Sequence, residues 1–220
     1  MKDEVELLID YPANIALLLM NNQIDVGLVP VAVIPQLKEH YIISDYCIGC
    51  NGEVASVCLF SDVPLQDIET ILLDYQSRSS VALLKILLKE HWNISPRFIA
   101  GTGHFEKDIK GTVAGLVIGD RALLQREYSA YIYDLGLAWQ QMTGLPFVFA
   151  AWVSNKLLPD SFIAAFNEAN AFGFMHIEDV LEQNKISYFD LKSYYNHFLK
   201  FKLDDQMKEA NALFLRKLKN

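Results

Sequence analysis

Cysteine is scarce in this chain of 220 residues, with three in all, and so small and odd a count cannot build the disulfide framework of a secreted domain. It fits a reducing compartment. Cys47 and Cys50 stand at C-x-x-C spacing, but Cys58 alone supplies no second ligand pair for a structural zinc site. The glycines and asparagine at 49–52 predict a turn there, whereas a redox pair needs a helix start. Positive charge is short as well. The 19 Lys and Arg against 27 Asp and Glu leave a net charge of −8, which argues against a general nucleic-acid or anionic-membrane binder, because those surfaces demand clustered cations. No apolar run is long enough to span a bilayer, and Met1-Lys2-Asp3-Glu4 carries acids where a secretory signal needs a basic start. A cytoplasmic protein is expected. Phosphate-binding glycine loops, the dinucleotide fingerprint and metal-ligand clusters are missing, so neither cofactor nor metal is expected. No tandem repeat or low-complexity tract interrupts the chain.

What is present is apolar: 52% of the residues are hydrophobic, enough for a full core in one large domain or two small lobes. Short strands are expected at 5–9, 24–29, 70–73, 97–100, 114–118 and 131–133. Helices are expected at 10–22, 80–92, 120–127 and 135–142. Their alternation predicts an α/β protein with mostly parallel sheets. Two further strands, 55–61 and 147–153, bracket the second αβ block, and after 153 the pattern turns helical at 160–172, 177–183, 187–201 and 204–218. A chain that leaves one block by one strand and returns by another implies two lobes around a central cleft, with the two strands crossing between them as a hinge. Residues 1–62 plus 154–220 form the first lobe and 63–153 the second. Ligands of such folds bind beyond the carboxyl ends of strands.

One carboxyl end carries Asp74-Tyr75-Gln76-Ser77-Arg78-Ser79-Ser80. A strand that feeds a helix through small hydroxyl residues leaves unpaired helical N–H groups aimed at one point, with the positive end of the helix dipole behind them. This reads as an anion site, against the plainer alternative that a serine merely caps the helix. Arg78 either clamps the anion or pairs with Asp74 to hold the turn. Gly119 and Asp120 follow another strand and complete the cleft candidates; Asp120 is read first as the cap of its own helix and second as an acid-base residue. Among the five histidines only His104 lies in a loop near a strand end. His91 and His197 are placed near helix C-termini, in solvated roles. The aromatic tail of Tyr188, Phe189, Tyr194, Tyr195, Phe198 and Phe201 has helical spacing and is read as packing.

Six phrases in register carry a resemblance over nearly the whole chain. They are Ile24-Asp25-Val26-Gly27-Leu28-Val29-Pro30, Ser44-Asp45-Tyr46-Cys47-Ile48-Gly49, Ser56-Val57-Cys58-Leu59-Phe60-Ser61, Ser77-Arg78-Ser79-Ser80, Leu116-Val117-Ile118-Gly119-Asp120-Arg121, and Asp134-Leu135-Gly136 followed by Thr143-Gly144-Leu145-Pro146-Phe147. Together they resemble the chorismate dehydratases of the futalosine route to menaquinone, which have the two-lobed fold of type II periplasmic binding proteins. Family members begin with a strand ending in a Ser-Tyr-Leu-Asn-like motif that faces the substrate. Met1 falls just before what resembles their second strand, so the resemblance implies a first lobe without its opening strand. Cys50 stands where a smaller residue is usual, and Ser79 where threonine is common.

The resemblance implies a lyase that removes water from chorismate, a small dicarboxylate, giving 3-[(1-carboxyvinyl)oxy]benzoate. Aromatisation drives the reaction, so the protein's part is positioning and charge stabilisation. Ser56 then takes the catalytic position. Ser77, Arg78, Ser79 and Ser80, with Gly119 and Asp120, take substrate-binding ones. No general base is assigned. The sibling naphthoate synthases carry a histidine about where Gly119 stands, which argues against that activity. A carboxylate-binding protein of the same fold, without catalysis, is the alternative from another class.

Overall fold

A computed structural model describes residues 5–219. Pro12 opens α1 (Pro12–Met20) at the position where a missing N–H costs nothing, and Ala13, Ala16 and Leu19 form its buried stripe. The chain continues through β1 (Val26–Pro30), a 3₁₀ turn at Val31–Gln36, and β2 (Tyr41–Cys50). Next come β3 (Val57–Ser61), β4 (Thr70–Leu73) and α2 (Ser79–Leu87), which runs into a π-helical turn at Leu88–Trp92. β5 (Arg97–Ala100), β6 (Val113–Ile118), α3 (Asp120–Gln125), β7 (Tyr131–Asp134) and α4 (Leu135–Thr143) follow. Gly144 ends α4 at φ 73°, a left-handed cap that suits glycine. The remainder is β8 (Phe147–Ser154), α5 (Asp160–Met175), α6 (Ile177–Gln183), α7 (Leu191–Ser193) with a π-helical turn at Tyr194–Phe198, β9 (Lys200–Lys202) and α8 (Asp205–Lys217).

These strands form two sheets, ordered β1-β8-β2-β9 and β5-β4-β6-β3-β7. The α/β class and the two-sheet plan agree with the sequence reading, but the expectation of mostly parallel pairing fails in the first sheet, where every pairing is antiparallel. The reason is topological: β8 returns from the second block and inserts between β1 and β2. Only β5-β4-β6 is parallel; β3 and β7 join it antiparallel. The two bracketing strands do not themselves cross. Among the described residues β3 pairs only within the second sheet and β8 only within the first, so the chain passes between sheets in the connections at 51–56 and 144–146.

Three local readings are overturned. Residues 5–9 form no strand and are exposed, Leu7 at 78% and Ile9 at 88%; among the described residues no strand pairs with them, and an apolar run alone does not make a strand. The helix expected over 187–201 breaks, because Asp190 accepts the N–H groups of Lys192 and Ser193 and starts a new short helix. Leu199 is extended, and Lys200-Phe201-Lys202 alternates outward and inward as β9 against β2. The turn expected at 49–52 is also displaced, since β2 runs on through Gly49 to Cys50. The ten-residue β2 itself lacks the unbroken aliphatic run that marks a strand in sequence.

One apolar core spans both sheets. It joins Leu19 of α1 and Val29 and Val153 of the first sheet to Leu59, Ile71 and Leu116 of the second, while Trp139, Phe147 and Phe214 in it meet edge to face. The Trp139 indole N–H donates to the Pro146 carbonyl at 2.9 Å, so this buried ring leaves no polar group unpaired. A smaller cluster of Phe60, Phe105 and Val117 covers the other face of the second sheet.

Candidate functional site

β4 and β6 are parallel neighbours, so the turns after them lie side by side. Asp74 joins the two. Only 2% exposed, its carboxylate accepts the N–H of Gln76 at 2.9 Å and of Ile118 at 3.0 Å, and the Arg121 guanidinium at 2.9 and 2.7 Å. Arg121 also donates to Glu106 at 2.6 Å. Burial would lower the pKa of Arg121, but its two carboxylate partners outweigh that and raise it. Thus the partner of Asp74 is Arg121 and not Arg78. Arg78 is exposed, and its side chain makes no hydrogen bond or ion pair among the described residues.

The serines divide the work of the α2 N-terminus. Ser77 caps it, accepting the Ser80 N–H at 3.1 Å and donating to Ser80 Oγ at 2.8 Å. Ser79 reaches across to the first sheet's side, where its Oγ accepts the Ala32 N–H at 3.2 Å. Ser79 and Ser80 are 1% and 2% exposed. The two sides of the interlobe junction therefore touch directly at Ser79, and the hydroxyls face inward.

Ser56 sits just before β3, which runs antiparallel to β6, so it lies beside the carboxyl end of β6. Its carbonyl accepts the Gly119 N–H at 2.8 Å. Its N–H donates to the Val54 carbonyl at 2.7 Å, closing a three-residue turn whose central Ala55 has φ 61°. A left-handed alanine is strained and persists only when its surroundings hold it. Asp134 does so. Its buried carboxylate accepts the N–H groups of Val54 at 3.1 Å, Ala55 at 2.7 Å and Leu137 at 3.0 Å, the last as N-cap of α4. Arg126 holds the Ala55 carbonyl from the other side at 3.2 Å. Ser56 is 4% exposed, and Tyr194 Oη donates to its Oγ at 2.7 Å.

The structure thus brings Ser56 and Gly119 into contact and gathers Ser77, Ser79 and Ser80 at one helix end. Asp120 is exposed and is the first residue of α3; Gly119 at φ 66° holds the N-cap position, so the reading of Asp120 as that cap does not hold. Burial pushes up the phenol pKa values of Tyr194 and Tyr195, and the negative charge of Asp120 adds a smaller push to both. His104 is exposed, and its side chain makes no hydrogen bond or ion pair among the described residues. Cys47, Cys50 and Cys58 are buried and free; burial, then the nearby Asp204, pushes Cys47 up to about 12, and burial, then Asp134, raises Cys50 and Cys58.

Tyr194, Asp134 and Arg121 were not named as site residues from sequence, and each makes its decisive contact with a residue distant in the chain. A cavity of about 570 Å³ lies elsewhere, lined by Tyr46, Phe174, Tyr195, Phe201, Lys202 and Met207 among others, and no expected site residue borders it. Among the described residues no three His, Cys, Asp or Glu side chains gather as metal ligands, and no helix is long and apolar enough to cross a membrane.

Comparison with known proteins agrees with this architecture. The chain is similar over 94–98% of its length to three solved structures that share the fold at 13–17% identity. A protein from Archaeoglobus fulgidus superposes with a TM-score of 0.74 at 14% identity over 98% of this chain and 85% of its own. An ABC transporter protein from Parabacteroides distasonis gives 0.59 at 17% over 96% and 80%. The periplasmic aliphatic sulphonate binding protein SsuA from Escherichia coli gives 0.52 at 13% over 94% and 77%. The fold is therefore that of periplasmic binding proteins. In sequence, the chain is 30% identical over 193 residues to a Thermus thermophilus protein named chorismate dehydratase, covering 78% of this chain and 70% of that one. The family model described as menaquinone biosynthesis matches residues 1–220, and the chain belongs to that menaquinone biosynthesis family.

Proposed function

We propose that this protein is a lyase that dehydrates chorismate to 3-[(1-carboxyvinyl)oxy]benzoate in the futalosine route to menaquinone, acting in the cytoplasm. The observation that carries the reading is a buried serine hydroxyl, Ser56 Oγ, held beside the carboxyl end of β6 in a chain of this family whose Thermus thermophilus relative is named for that reaction. Carbon 3 of chorismate loses a proton, carbon 4 loses hydroxide, and the ring becomes aromatic, so atoms and charge balance as one water released. Ser56 donates its proton as a hydrogen bond to the departing oxygen, stabilising the charge that develops there. The α2 N-terminus with Ser79 and Ser80 receives one carboxylate, and exposed Arg78 closes over it from outside. Gly119 and Asp120 border the ring. This arrangement asks the Ser79 contact to Ala32 to yield when substrate enters, a movement that fits two lobes divided by sheet membership, β3 to α4 against the rest.

Incubating the purified protein with chorismate and resolving the products by chromatography tests the reading. Formation of the aromatic enol ether is expected, and chorismate recovered unchanged would overturn it. Ser56→Ala should lower turnover at least about tenfold, roughly 1.4 kcal/mol of transition-state stabilisation. The second reading, a carboxylate-binding protein without catalysis, has one observation in its favour: the fold is shared with a sulphonate-binding protein. Tight binding of chorismate without conversion would select it.

A further inference from the structure

We infer that Tyr194 is a positioning residue that directs the Ser56 hydroxyl proton into the cleft, an assignment that rests on the dehydratase reading. A serine hydroxyl has one proton and two lone pairs and rotates freely unless a partner settles it. The phenol of Tyr194 lies 2.7 Å from Ser56 Oγ. A phenol is the more acidic hydroxyl, and its oxygen lone pairs are partly delocalised into the ring. It therefore donates, and the alkyl hydroxyl accepts. Ser56 Oγ makes no other hydrogen bond among the described residues. With one lone pair occupied by Tyr194, its own proton is directed away from the phenol and has no protein acceptor to take it.

Both partners are held for this geometry. Ser56 follows the left-handed Ala55, pinned by Asp134 and Arg126. Tyr194 begins a π-helical turn, a local widening often found at functional positions, and its N–H donates to the Asp190 carbonyl at 2.9 Å. Its ring meets Phe189 at 6.1 Å and Tyr195 at 5.4 Å, both edge to face, which limits its swing. Burial keeps the phenol protonated, with a pKa pushed up to about 12, so it stays a donor throughout the physiological range. The contact also spans the two halves of the molecule, because Tyr194 belongs to the segment leading into β9 of the first sheet, while Ser56 leads into β3 of the second.

The test is a double-mutant cycle on the purified enzyme with chorismate as substrate, using Tyr194→Phe, Ser56→Ala and the pair, with urea unfolding to verify that each is folded. Tyr194→Phe alone should lower kcat about tenfold and leave KM within about twofold. In the Ser56→Ala background the same change should alter kcat by less than about twofold, because the group through which it acts is gone. Losses that multiply in the double variant would overturn the inference. So would a Tyr194→Phe variant that raises KM with kcat intact, since that tyrosine would be touching substrate itself. A wild-type protein inactive on chorismate would sink the dehydratase reading and this role with it, whereas an active one with multiplicative losses removes Tyr194 alone.

Discussion

Replacing Asp134 by alanine is expected to be among the most damaging single changes in this protein. The carboxylate is 8% exposed and serves three backbone donors, the N–H groups of Val54, Ala55 and Leu137. Losing the N-cap of α4 costs about 1 kcal/mol. The Val54 and Ala55 amides, left without their acceptor, cost roughly 1–3 kcal/mol each. The sum is roughly 3–7 kcal/mol, and deletion of the carboxylate also removes its own desolvation cost, so the lower half of that range is expected. Against a typical domain stability of about 5–15 kcal/mol this is severe. With a urea m-value of about 2 kcal/mol per molar, the unfolding midpoint should fall by roughly 1.5–2.5 M. Asp134→Asn keeps one carbonyl oxygen but turns an amide group toward backbone donors, and should lose about half as much. Equilibrium urea unfolding followed by tryptophan fluorescence measures both. An Asp134→Ala midpoint within about 0.5 M of wild type would refute the argument that this carboxylate holds the strained turn before Ser56.

Other expectations follow from single contacts. A Cβ at Gly136 would fall 2.5 Å from Cys50 Sγ and 2.6 Å from the Gly52 carbonyl oxygen, so Gly136→Ala should destabilise by about 1–3 kcal/mol in the same assay. Cys50→Ala should relieve this only in part, because the backbone oxygen stays; full rescue would show that the sulfur alone sets the limit. At pH 8 a thiol with a pKa of about 12, as at Cys47, is ionised to about one part in ten thousand. Iodoacetamide should therefore leave all three cysteines unmodified in the native protein and modify all three in urea, as read by mass spectrometry, and rapid native labelling of any one would contradict the burial assigned here. Arg78→Ala should leave the unfolding midpoint unchanged, since the side chain is exposed and bonded to nothing among the described residues, yet raise KM for chorismate about tenfold; an unaltered KM would remove Arg78 from the site.

Much of the architecture was legible locally. The strands at 70–73 and 97–100 appear at those bounds, because each is too short for a helix and is closed off by turn-forming residues, Ser95-Pro96 and Gly101 in the second case. The helices after β4, β6 and β7 follow from small or acidic caps before apolar periodicity. The stretch 187–201 was misread because aromatic residues at helical spacing mask the Asp190 restart and the two-residue alternation of Lys200-Phe201-Lys202. The apolar run at 5–9 shows the converse error: hydrophobicity favours burial, but a strand exists only if a partner strand pairs with it.

The sequence by itself determined the class of the fold, the serine-rich helix start after β4 and, through phrases in register, the family. Such features are written in neighbouring residues, where capping, turn chemistry and side-chain period act. Tertiary structure alone decided who pairs with whom. Asp74 took Arg121 rather than Arg78, Ser79 reached Ala32, Asp134 gripped the turn at Ala55, and Tyr194 came to rest on Ser56. Each of these bonds joins residues more than forty positions apart, so its formation depends on how β8 threads between β1 and β2 and how β3 seats against β6, and no local propensity reports that geometry.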